Sequence, residues 1–314
     1  MNVLKLDSFV LAIIASVVLA YFFPFLAHAL PLDTISSVGI SLIFFFYGLK
    51  LSPEKIKAGL ANWKLHVVVQ LSTFVLYPLL VVAFYPLFKG TSHEIMWFAF
   101  LFLAALPSTV SSSVVMTSLA KGNVPAAIFN ASISGLIGIL VTPLWVGLFL
   151  KTTSTQFDMS AIYLKLLLEI VVPVSLGLLL QRFWGAFAQQ HLRAITLFDK
   201  SVILLIVYKS FVASFEENVF STVSWTTFVL VTLVVILSFF LVYGLIGLIS
   251  KLLHFNREDT IVAQFCGTKK SLVHGTVFSK VLFPSTFPVG IILLPLMLFH
   301  AIQLLVVSII ATRK

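Results

Sequence analysis

The stretch that decides the fold is Leu103-Ala-Ala-Leu-Pro-Ser-Thr-Val-Ser-Ser-Ser-Val-Val-Met116, which sets a proline and five hydroxyl residues inside an apolar run. Because Pro107 lacks an N–H and its ring clashes with the preceding turn, a helix is expected to break here. A second apolar run contains Gln264-Phe-Cys-Gly-Thr-Lys-Lys-Ser-Leu-Val-His-Gly275, with two glycines and two lysines. Broken backbone at membrane depth is tolerated only where protein or a water-filled cavity satisfies the freed polar groups. The two stretches therefore predict interrupted helices that cross and build a binding site.

The two stretches also match each other along the chain. A shift of 159 residues superimposes six identical pairs within the 17 positions from 109 to 125, where chance gives about one. The pairs are Thr109 with Thr268, Ser112 with Ser271, Val114 with Val273, Thr117 with Thr276, Lys121 with Lys280 and Pro125 with Pro284. Coincidence in a sequence rich in serine, threonine and valine is the alternative. An internal repeat with an odd number of spans per half is inverted, a common plan in secondary transporters.

The composition is that of a membrane protein. Of 314 residues, 60% are hydrophobic and 10% are charged, against roughly 25% charged in an ordinary soluble domain. The mean hydropathy is +1.12. The chain has one cysteine, Cys266, so it can form no internal disulfide. This composition disfavours an aqueous enzyme, a nucleic-acid binder and a disordered chain. Metalloprotease, hydrolase and P-loop motifs are also absent, which is a second argument against an enzyme.

Apolar runs broken by charges or turn residues predict ten membrane spans. They are about Phe9–Ala27, Ile35–Leu51, His66–Phe88, Ile95–Leu119, Val124–Leu150, Ile162–Leu180, Ser201–Ser214, Thr226–Ser250, Thr260–Leu282 and Phe287–Thr312. The predicted fold is an all-α membrane protein with ten transmembrane helices in two inverted five-helix repeats, residues 1–155 and 156–314. Helices four and nine are expected to be broken and to cross. The first run also imitates a signal peptide, but its 18 residues from Phe9 to Leu26 favour a retained helix.

The basic residues predict the orientation of the chain. With the N-terminus inside, 13 of them lie at cytoplasmic ends: Lys5, Lys50, Lys55, Lys57, Lys64, Lys121, Arg182, Arg193, Lys200, Lys251, Arg257, Arg313 and Lys314. Five lie at the opposite ends: Lys89, Lys151, Lys165, Lys209 and Lys280. Because cytoplasmic loops carry the excess of lysine and arginine, both termini are expected in the cytoplasm. The predicted location is the bacterial inner membrane.

The candidate binding residues lie in the two broken spans and in their neighbours. They are Gln70, Thr109, Ser112, Ser113, Asn130, Ser134, Gln264, Thr268, Lys269, Lys270 and Ser271, with the helices broken at Pro107 and Gly267. Half-helix N-termini suit anions, whereas hydroxyls and freed carbonyls suit a hard cation such as Na⁺. No metal or organic cofactor is expected, and Na⁺ or H⁺ is the expected coupling ion.

The two adjacent lysines are the most unusual feature of the ninth span. Each intramembrane lysine costs about 2.5–3.5 kcal/mol on insertion scales, so the pair implies a compensating function or partner. A charged Lys269 or Lys270 can pair with an anionic substrate or supply the charge that a sodium ion would bring. A desolvated one can carry a transported proton. The alternative is that residues 264–275 form a cytoplasmic loop, although Leu272–Leu282 alone is too short to span a bilayer.

Other polar residues in the spans have a functional or a structural interpretation. Gln70 faces the site or makes a buried interhelical bond. Asn130 and Ser134 share a helix face at i and i+4, and serve the site or helix packing. Glu169 is a proton carrier, a partner of a lysine, or an edge residue that reaches water. His300 is expected to be a satisfied core histidine.

Several motifs resemble one family, the bile acid:sodium symporters. Val115-Met-Thr-Ser-Leu-Ala-Lys-Gly-Asn-Val124, followed by Thr142-Pro143, resembles its fourth and fifth helices. Phe265-Cys-Gly-Thr-Lys-Lys-Ser-Leu272 resembles the ninth helix of the branch that includes solute carrier 10 member 7 and bacterial YfeH-type proteins. Gly48-Leu-Lys-Leu-Ser-Pro-Glu54 is similar as well. The resemblance implies a core domain with crossing helices four and nine, a panel domain interleaved with it, solute passing at their interface, and sodium sites behind the crossing.

The chain departs from the sodium-coupled relatives at their ligand positions. A Ser-Asn pair of helix four reads Ser113-Val114 here. The helix-nine frame Glu-x-Gly-x-Gln-Asn reads Phe265-Cys-Gly-Thr-Lys-Lys270, so the glutamate is absent and two amides have become ammonium groups. Gln70 matches the helix-three glutamine. These changes put sodium coupling by the family mechanism, and bile acid as the substrate, in question.

The resemblance implies a secondary active transporter that moves a small organic anion by alternating access. The expected partners are the lipid bilayer and this anionic solute, and no oligomeric state is predicted. The alternative is a non-transporting or weakly transporting membrane regulator of calcium homeostasis, a process with which relatives of this branch are associated.

Overall fold

The protein is described here by a computed structural model that covers residues 8–50, 62–153, 164, 167–216, 224–283 and 287–313. Within these ranges it contains helices and no strands. The helices of the first half are α1 (Ser8–Phe22), α2 (Phe25–Ala29), α3 (Leu32–Lys50), α4 (Trp63–Leu71), α5 (Tyr77–Val82), α6 (Tyr85–Phe88), α7 (Glu94–Ala105), α8 (Ser111–Leu119) and α9 (Val124–Thr153). Those of the second half are α10 (Val172–Gln190), α11 (Leu192–Glu216), α12 (Trp225–Leu252), α13 (Arg257–Thr268), α14 (Leu272–Leu282) and α15 (Val289–Arg313).

Two π-helical turns precede α5 and α10. They are Ser72–Leu76 and Leu167–Val171. The predicted boundary between residues 155 and 156 lies outside the described residues, as do Lys5, Lys55, Lys57, Lys165 and Lys314. The division into two sequence repeats therefore stays a prediction.

Six helical stretches of the described chain are long and apolar enough to cross a membrane, judged by length and composition. They are Leu32–Lys50, Trp63–Val82, Val124–Leu150, Leu167–Gln190, Trp225–Leu252 and Val289–Thr312. Leu11–Phe22 and Glu94–Ala105 are shorter apolar helices. The prediction of an all-α, multi-span membrane protein is confirmed, whereas the count of ten stays a prediction.

The chain forms two compact units, and each takes segments from both halves of the sequence. The first unit comprises residues 1–52, 158–223 and 276–291, and the second comprises 53–157, 224–275 and 292–314. The first unit therefore holds α1–α3, α10 and α11. The second holds α4–α9, α12, α13 and most of α15.

In the first unit, α3 and α10 approach each other through two glycines. A Cβ atom added to Gly48 would overlap the carbonyl oxygen of Val174, and one added to Gly177 would overlap that of Phe45. Only residues without a side chain allow backbones this close. Glu169 lies half-buried in the π-helical turn before α10, and its Oε2 has no hydrogen-bond partner among the described residues.

Ion pairs join α3 to α11 at both ends of the first unit. Lys50, the last residue of α3, pairs with Asp199 of α11, with Nζ and Oδ2 3.2 Å apart. At the other end, Asp33 of α3 pairs with Lys209 of α11 and with Lys280 of α14. The two helices are therefore antiparallel neighbours. Lys50 and Lys209 also correspond under the 159-residue shift.

Both apolar runs contain a helix break, but the second begins at Lys269, and Gly267 still lies within α13. Helix α7 ends at Ala105, Leu106 is extended with φ −72° and ψ 150°, and α8 begins at Ser111. Helix α13 ends at Thr268, Lys269 is extended with φ −71° and ψ 146°, and α14 begins at Leu272. The interpretation of residues 264–275 as a cytoplasmic loop is wrong, because they form two helices around a short interruption and almost all are buried.

Candidate functional site at two helix breaks

The two breaks contact each other in the second unit. The backbone N–H of Ser271, in the second break, donates to the carbonyl oxygen of Pro107 in the first, with nitrogen and oxygen 2.8 Å apart. The side chain of Ser271 then caps α14, since its Oγ accepts from the N–H of His274 at 3.3 Å. The same hydroxyl lies 2.9 Å from His274 Nδ1. Pro107 and Ser271, both predicted site residues, are thus joined through the backbone.

The carbonyl groups freed at the first break all have partners. The end of α7 leaves the oxygens of residues 104–107 without the amide four residues on, because Pro107 interrupts the ladder. Ala105 O accepts from the Thr142 hydroxyl at 2.7 Å. Ala104 O and Leu106 O accept from the Lys270 ammonium group at 2.6 Å and 2.9 Å. With Pro107 O bonded to Ser271, protein groups satisfy these four carbonyl oxygens.

One face of α9 supports this break. Ser134 Oγ accepts from the N–H of Ser108 at 3.0 Å, and a Cβ added to Gly138 would lie 2.8 Å from the Pro107 ring. Ser134, Gly138 and Thr142 recur every four residues, so they line up on one side of the helix. Ser134, a predicted site residue, therefore holds the broken backbone in place.

The Lys270 ammonium group is the centre of the site. Its Nζ donates to the carbonyl oxygens of Thr73 at 2.8 Å, Ala104 at 2.6 Å and Leu106 at 2.9 Å. It also lies 4.8 Å from the centre of the Tyr77 ring, close enough for a cation–π interaction. An ammonium group has three N–H donors, so all three are used. The side chain is fully buried.

Thr73 offers a free carbonyl because of its place in the π-helical turn. The N–H of Tyr77 donates to Ser72 O, five residues back, so it does not reach Thr73 O. The next residue is Pro78, which has no N–H. Pro78 also frees Phe74 O, which accepts from Trp145 Nε1 at 2.8 Å. Proline at this point thus frees two carbonyls, and a lysine ammonium takes one of them.

The second break is held by a glutamine that the sequence analysis missed. Gln303 of α15 accepts the N–H of Lys270 on Oε1 at 2.9 Å and donates to Lys270 O from Nε2 at 2.8 Å. Its Nε2 also lies 3.0 Å from His300 Nδ1. His300 is therefore a satisfied core histidine, as expected. A glutamine in a long apolar span is the signal by which Gln303 could have been found.

Lys269 differs sharply from its neighbour. It too is fully buried, but its Nζ has no hydrogen-bond partner among the described residues. Cys266, one turn earlier, is fully buried too, and its thiol is hydrogen-bonded to Ser113 and donates to the Ala127 carbonyl oxygen at 3.9 Å. The lysine pair is thus split: the Lys270 ammonium group has every donor used, and the Lys269 amino group has no hydrogen-bond partner in the described part of the chain.

The hydroxyl residues of the first break form a small cluster. Thr109 Oγ1 lies 2.9 Å from Ser112 Oγ and 3.1 Å from Ser113 Oγ. The Thr268 hydroxyl, at the end of α13, is buried without a partner in the described chain. Gly267 packs against α4 and α12, where a Cβ would lie 2.9 Å from Ile246 Cδ1. These predicted residues lie at the two breaks.

The remaining predicted residues make interhelical bonds. Gln264 Nε2 donates to Tyr243 O of α12 at 3.3 Å. Gln70 Nε2 donates to the Asn130 carbonyl at 3.1 Å and to its side-chain oxygen at 3.3 Å. The Asn130 amide lies 2.9 Å from His66 Nδ1, a residue that the sequence analysis placed in a span without a role. Gln70 Oε1 is buried without a partner in the described chain.

A metal centre has no support in the described part of the chain, where no group of three His, Cys, Asp or Glu side chains is placed to hold an ion. The site is instead built from backbone carbonyls, hydroxyls and two lysines at two broken helices.

Broken helices in contact, within a multi-span helical membrane protein, are a common plan of secondary transporters. The chain belongs to the SBF-like CPA transporter family, whose model matches residues 7–314.

Full-length relatives support the assignment. An uncharacterized protein of Pseudomonas aeruginosa is 40% identical over 308 residues, covering 98% of this chain and 92% of its own. YfeH of Escherichia coli is 37% identical over 311 residues, covering 98% and 92%. Sodium/bile acid cotransporter 7-B of Xenopus laevis is 30% identical over 316 residues, covering 98% and 91%. The predicted resemblance is confirmed.

Proposed function

We propose that the protein is a secondary active transporter that moves a small organic anion by alternating access and needs no sodium ion at the helix breaks. The observation that carries the proposal is the Lys270 ammonium group, which donates to three freed carbonyls. The chain's membership of a transporter family supports the transport function.

The Lys270 ammonium group makes a bound cation unnecessary at this place. A ring of freed carbonyl oxygens is the kind of surface that binds Na⁺ in transporters. Here the Lys270 ammonium group takes the place of the sodium ion, because it donates to the carbonyl oxygens of Thr73, Ala104 and Leu106. A sodium ion would have to displace a fully buried ammonium group, whose desolvation has already been compensated.

An anionic solute follows from the surplus of positive charge. The two breaks bring two lysines and no described carboxylate among the residues that form them. Hydroxyl groups of Thr109, Ser112 and Ser113 can donate to an anion. The relative named as a sodium/bile acid cotransporter is consistent with an organic anion, although the ligand positions differ here.

We further propose ten membrane-spanning helices in two inverted five-helix repeats, 1–155 and 156–314, with both termini cytoplasmic and the protein in the bacterial inner membrane. Under the 159-residue shift, the segments that follow the two breaks begin within two residues of each other, α8 at Ser111 and α14 at Leu272, which supports the repeat. The ion pairs Lys50–Asp199 and Lys209–Asp33 agree with it on the lysine side alone, since Lys50 and Lys209 correspond under the shift and the two aspartates do not.

The test is uptake into liposomes that contain the purified protein. Stabilising anions are first found by thermal shift among dicarboxylates, sulfonates and sulfate esters, taurocholate included. We expect uptake of a stabilising anion in sodium-free buffer. Lys270→Gln should abolish it or make it depend on Na⁺, because an amide has two donors and no charge for three carbonyls.

A matched control is Lys64→Gln, which removes one lysine at an exposed position of α4. It should leave uptake unchanged. Lys270→Arg keeps the charge but cannot fit a planar group into a three-carbonyl ring, so partial activity is expected. If no anion moves under any sodium, proton or voltage gradient, the transporter proposal is wrong. If wild-type uptake strictly requires Na⁺, the role proposed for Lys270 is wrong.

A further inference from the structure

We propose that Lys269 binds the transported anion and carries one coupled proton with it. In the empty site Lys269 is a neutral amine, and it becomes an ammonium ion when a small carboxylate or sulfonate anion lies beside it. This inference rests on the proposed transport of an organic anion and names the coupling ion and the group that carries it.

The first argument is the contrast with Lys270. The Lys270 donors are all used by carbonyl oxygens, so they cannot bind an anion without giving up a backbone partner. Lys269 Nζ has no hydrogen-bond partner among the described residues, although the side chain is fully buried. A buried charge without a partner is strongly disfavoured, and such a group loses its proton unless a counter-ion arrives.

The second argument is what surrounds the amine. Cys266 lies one turn before it on α13 and is fully buried as well. The Cys266 thiol is hydrogen-bonded to Ser113, and Ser113 is bonded to Thr109. Thiol and hydroxyl groups can donate to an anion, but none of them supplies a permanent negative charge. Since the described residues around Lys269 supply no negative charge, we infer that the charge that holds it protonated comes from a bound anion.

Other titratable groups on the helices packed against α13 are placed elsewhere. His66 of α4 is bonded to Asn130, and His300 of α15 is bonded to Gln303. Five of the remaining described groups lie at helix ends: Lys64, Lys251, Arg257, Glu258 and Asp259. The Tyr243 ring stacks on Phe239. Cys266 is therefore the titratable neighbour that matters for Lys269, together with Lys270, whose charge is held by carbonyls.

Coupling follows from this arrangement. When the site opens to one side, an anion and a proton from water enter together, and Lys269 becomes the cation that the anion pairs with. After the site opens to the other side, the anion leaves, the unpaired ammonium group is again disfavoured, and its proton is released to water. One proton thus crosses with each anion, and a monoanion crosses without net charge.

The native thiol provides the test, because Cys266 is the chain's one cysteine. Its reaction rate is measured in detergent with methyl methanethiosulfonate, which is uncharged, and with sulfonatoethyl methanethiosulfonate, which is an anion. The ratio of the anionic to the uncharged rate removes the thiol's own titration. In the wild type this ratio should rise at least about threefold as the pH falls from about 8.5 to about 6, the effect of a unit charge about 6 Å away in water.

Two variants make the result specific. Lys269→Gln should keep the ratio low at both pH values, because no charge can form. Lys269→Arg should keep it high at both, because a guanidinium group stays protonated. Lys64→Gln, an exposed lysine on α4, should behave like the wild type. Equal ratios in all four proteins would overturn the proposal, and so would a Cys266 that neither reagent reaches in the folded protein.

The outcomes separate this inference from the proposed function. If liposomes take up an anion while the labelling ratio ignores Lys269, the transporter stands and the role of Lys269 is wrong. If the ratio follows Lys269 as expected but no anion crosses under any gradient, the anion site stands and the transport function is wrong.

Discussion

Gln303 and Lys270 are bonded twice through the Lys270 backbone: the glutamine accepts the N–H at 2.9 Å and donates to the C=O at 2.8 Å. The Gln303 side-chain amide thereby makes the two hydrogen bonds that backbone groups would make in an unbroken helix. Since the Lys270 backbone has no helical partner there, its position depends on this side chain. The lysine ammonium group, at the other end of the residue, depends on it in turn.

Gln303→Met should destabilise the protein and disturb Lys270. The change keeps the side-chain volume but leaves a buried N–H and a buried C=O without partners, which costs about 1–3 kcal/mol for each. The measurement is thermal unfolding in detergent micelles. Gln189→Met is the control, because Gln189 is exposed and makes one long bond of 3.4 Å to Lys50 O. Equal melting temperatures for the two variants would contradict this account of the break.

Thr142→Val tests the support that α9 gives to the first break. Valine has nearly the shape of threonine but cannot donate to Ala105 O, now 2.7 Å from the hydroxyl. The unpaired carbonyl should cost about 1–3 kcal/mol. Thr232→Val is the matched control, since that hydroxyl bonds back to Phe228 O within its own helix. We expect the melting temperature to fall for Thr142→Val alone, and a fall of the same size in both would count against a special role for Thr142.

Gly177→Ala tests the close approach of α3 and α10. The new methyl group would overlap the carbonyl oxygen of Phe45, and overpacking of this kind typically costs about 1–3 kcal/mol. Gly244→Ala, on α12, is the control because a Cβ there meets nothing within 4 Å. It should stabilise its helix by about 0.5–1 kcal/mol. The melting temperature should therefore fall for Gly177→Ala and rise for Gly244→Ala. A rise for both variants would show that α3 and α10 separate freely.

Asp33→Asn removes the partner of both Lys209 and Lys280. The Asp33 side chain is 67% exposed, and exposed ion pairs contribute about 0–1 kcal/mol. We expect a small fall in melting temperature at low salt that vanishes at high salt, where exposed charges are screened. A large, salt-independent loss would mean that this triad is buried and stabilises the first unit more than its exposure allows.

Much of the site was predictable from local sequence. Pro107 inside an apolar run predicts a break because the missing N–H is a property of the residue itself. The lysine pair predicts an unusual environment for the same local reason, the cost of charge in a membrane. The helix that carries Ser134 and Asn130 was also identified, but not that Ser134 holds the broken backbone while Asn130 bonds to Gln70.

Other parts of the site could not be predicted from the sequence. Lys269 and Lys270 are adjacent in sequence, and in an extended stretch successive side chains point to opposite sides. No property of the two residues says which one meets carbonyls. The Thr73 carbonyl is 197 positions away from Lys270, and a backbone oxygen looks the same for every residue type. Only Pro78, which frees that carbonyl, leaves a trace in the sequence.

By itself, the sequence determined a helical membrane protein with two related breaks and two costly lysines, because hydropathy, proline chemistry and charge act locally. The tertiary structure decided which lysine is held by carbonyls and which has no hydrogen-bond partner among the described residues. Only in the folded chain do the π-helical turn, the end of α7 and Gln303 all contact Lys270. The composition therefore indicates a membrane protein, and the packing of freed carbonyls around Lys270 distinguishes it from Lys269.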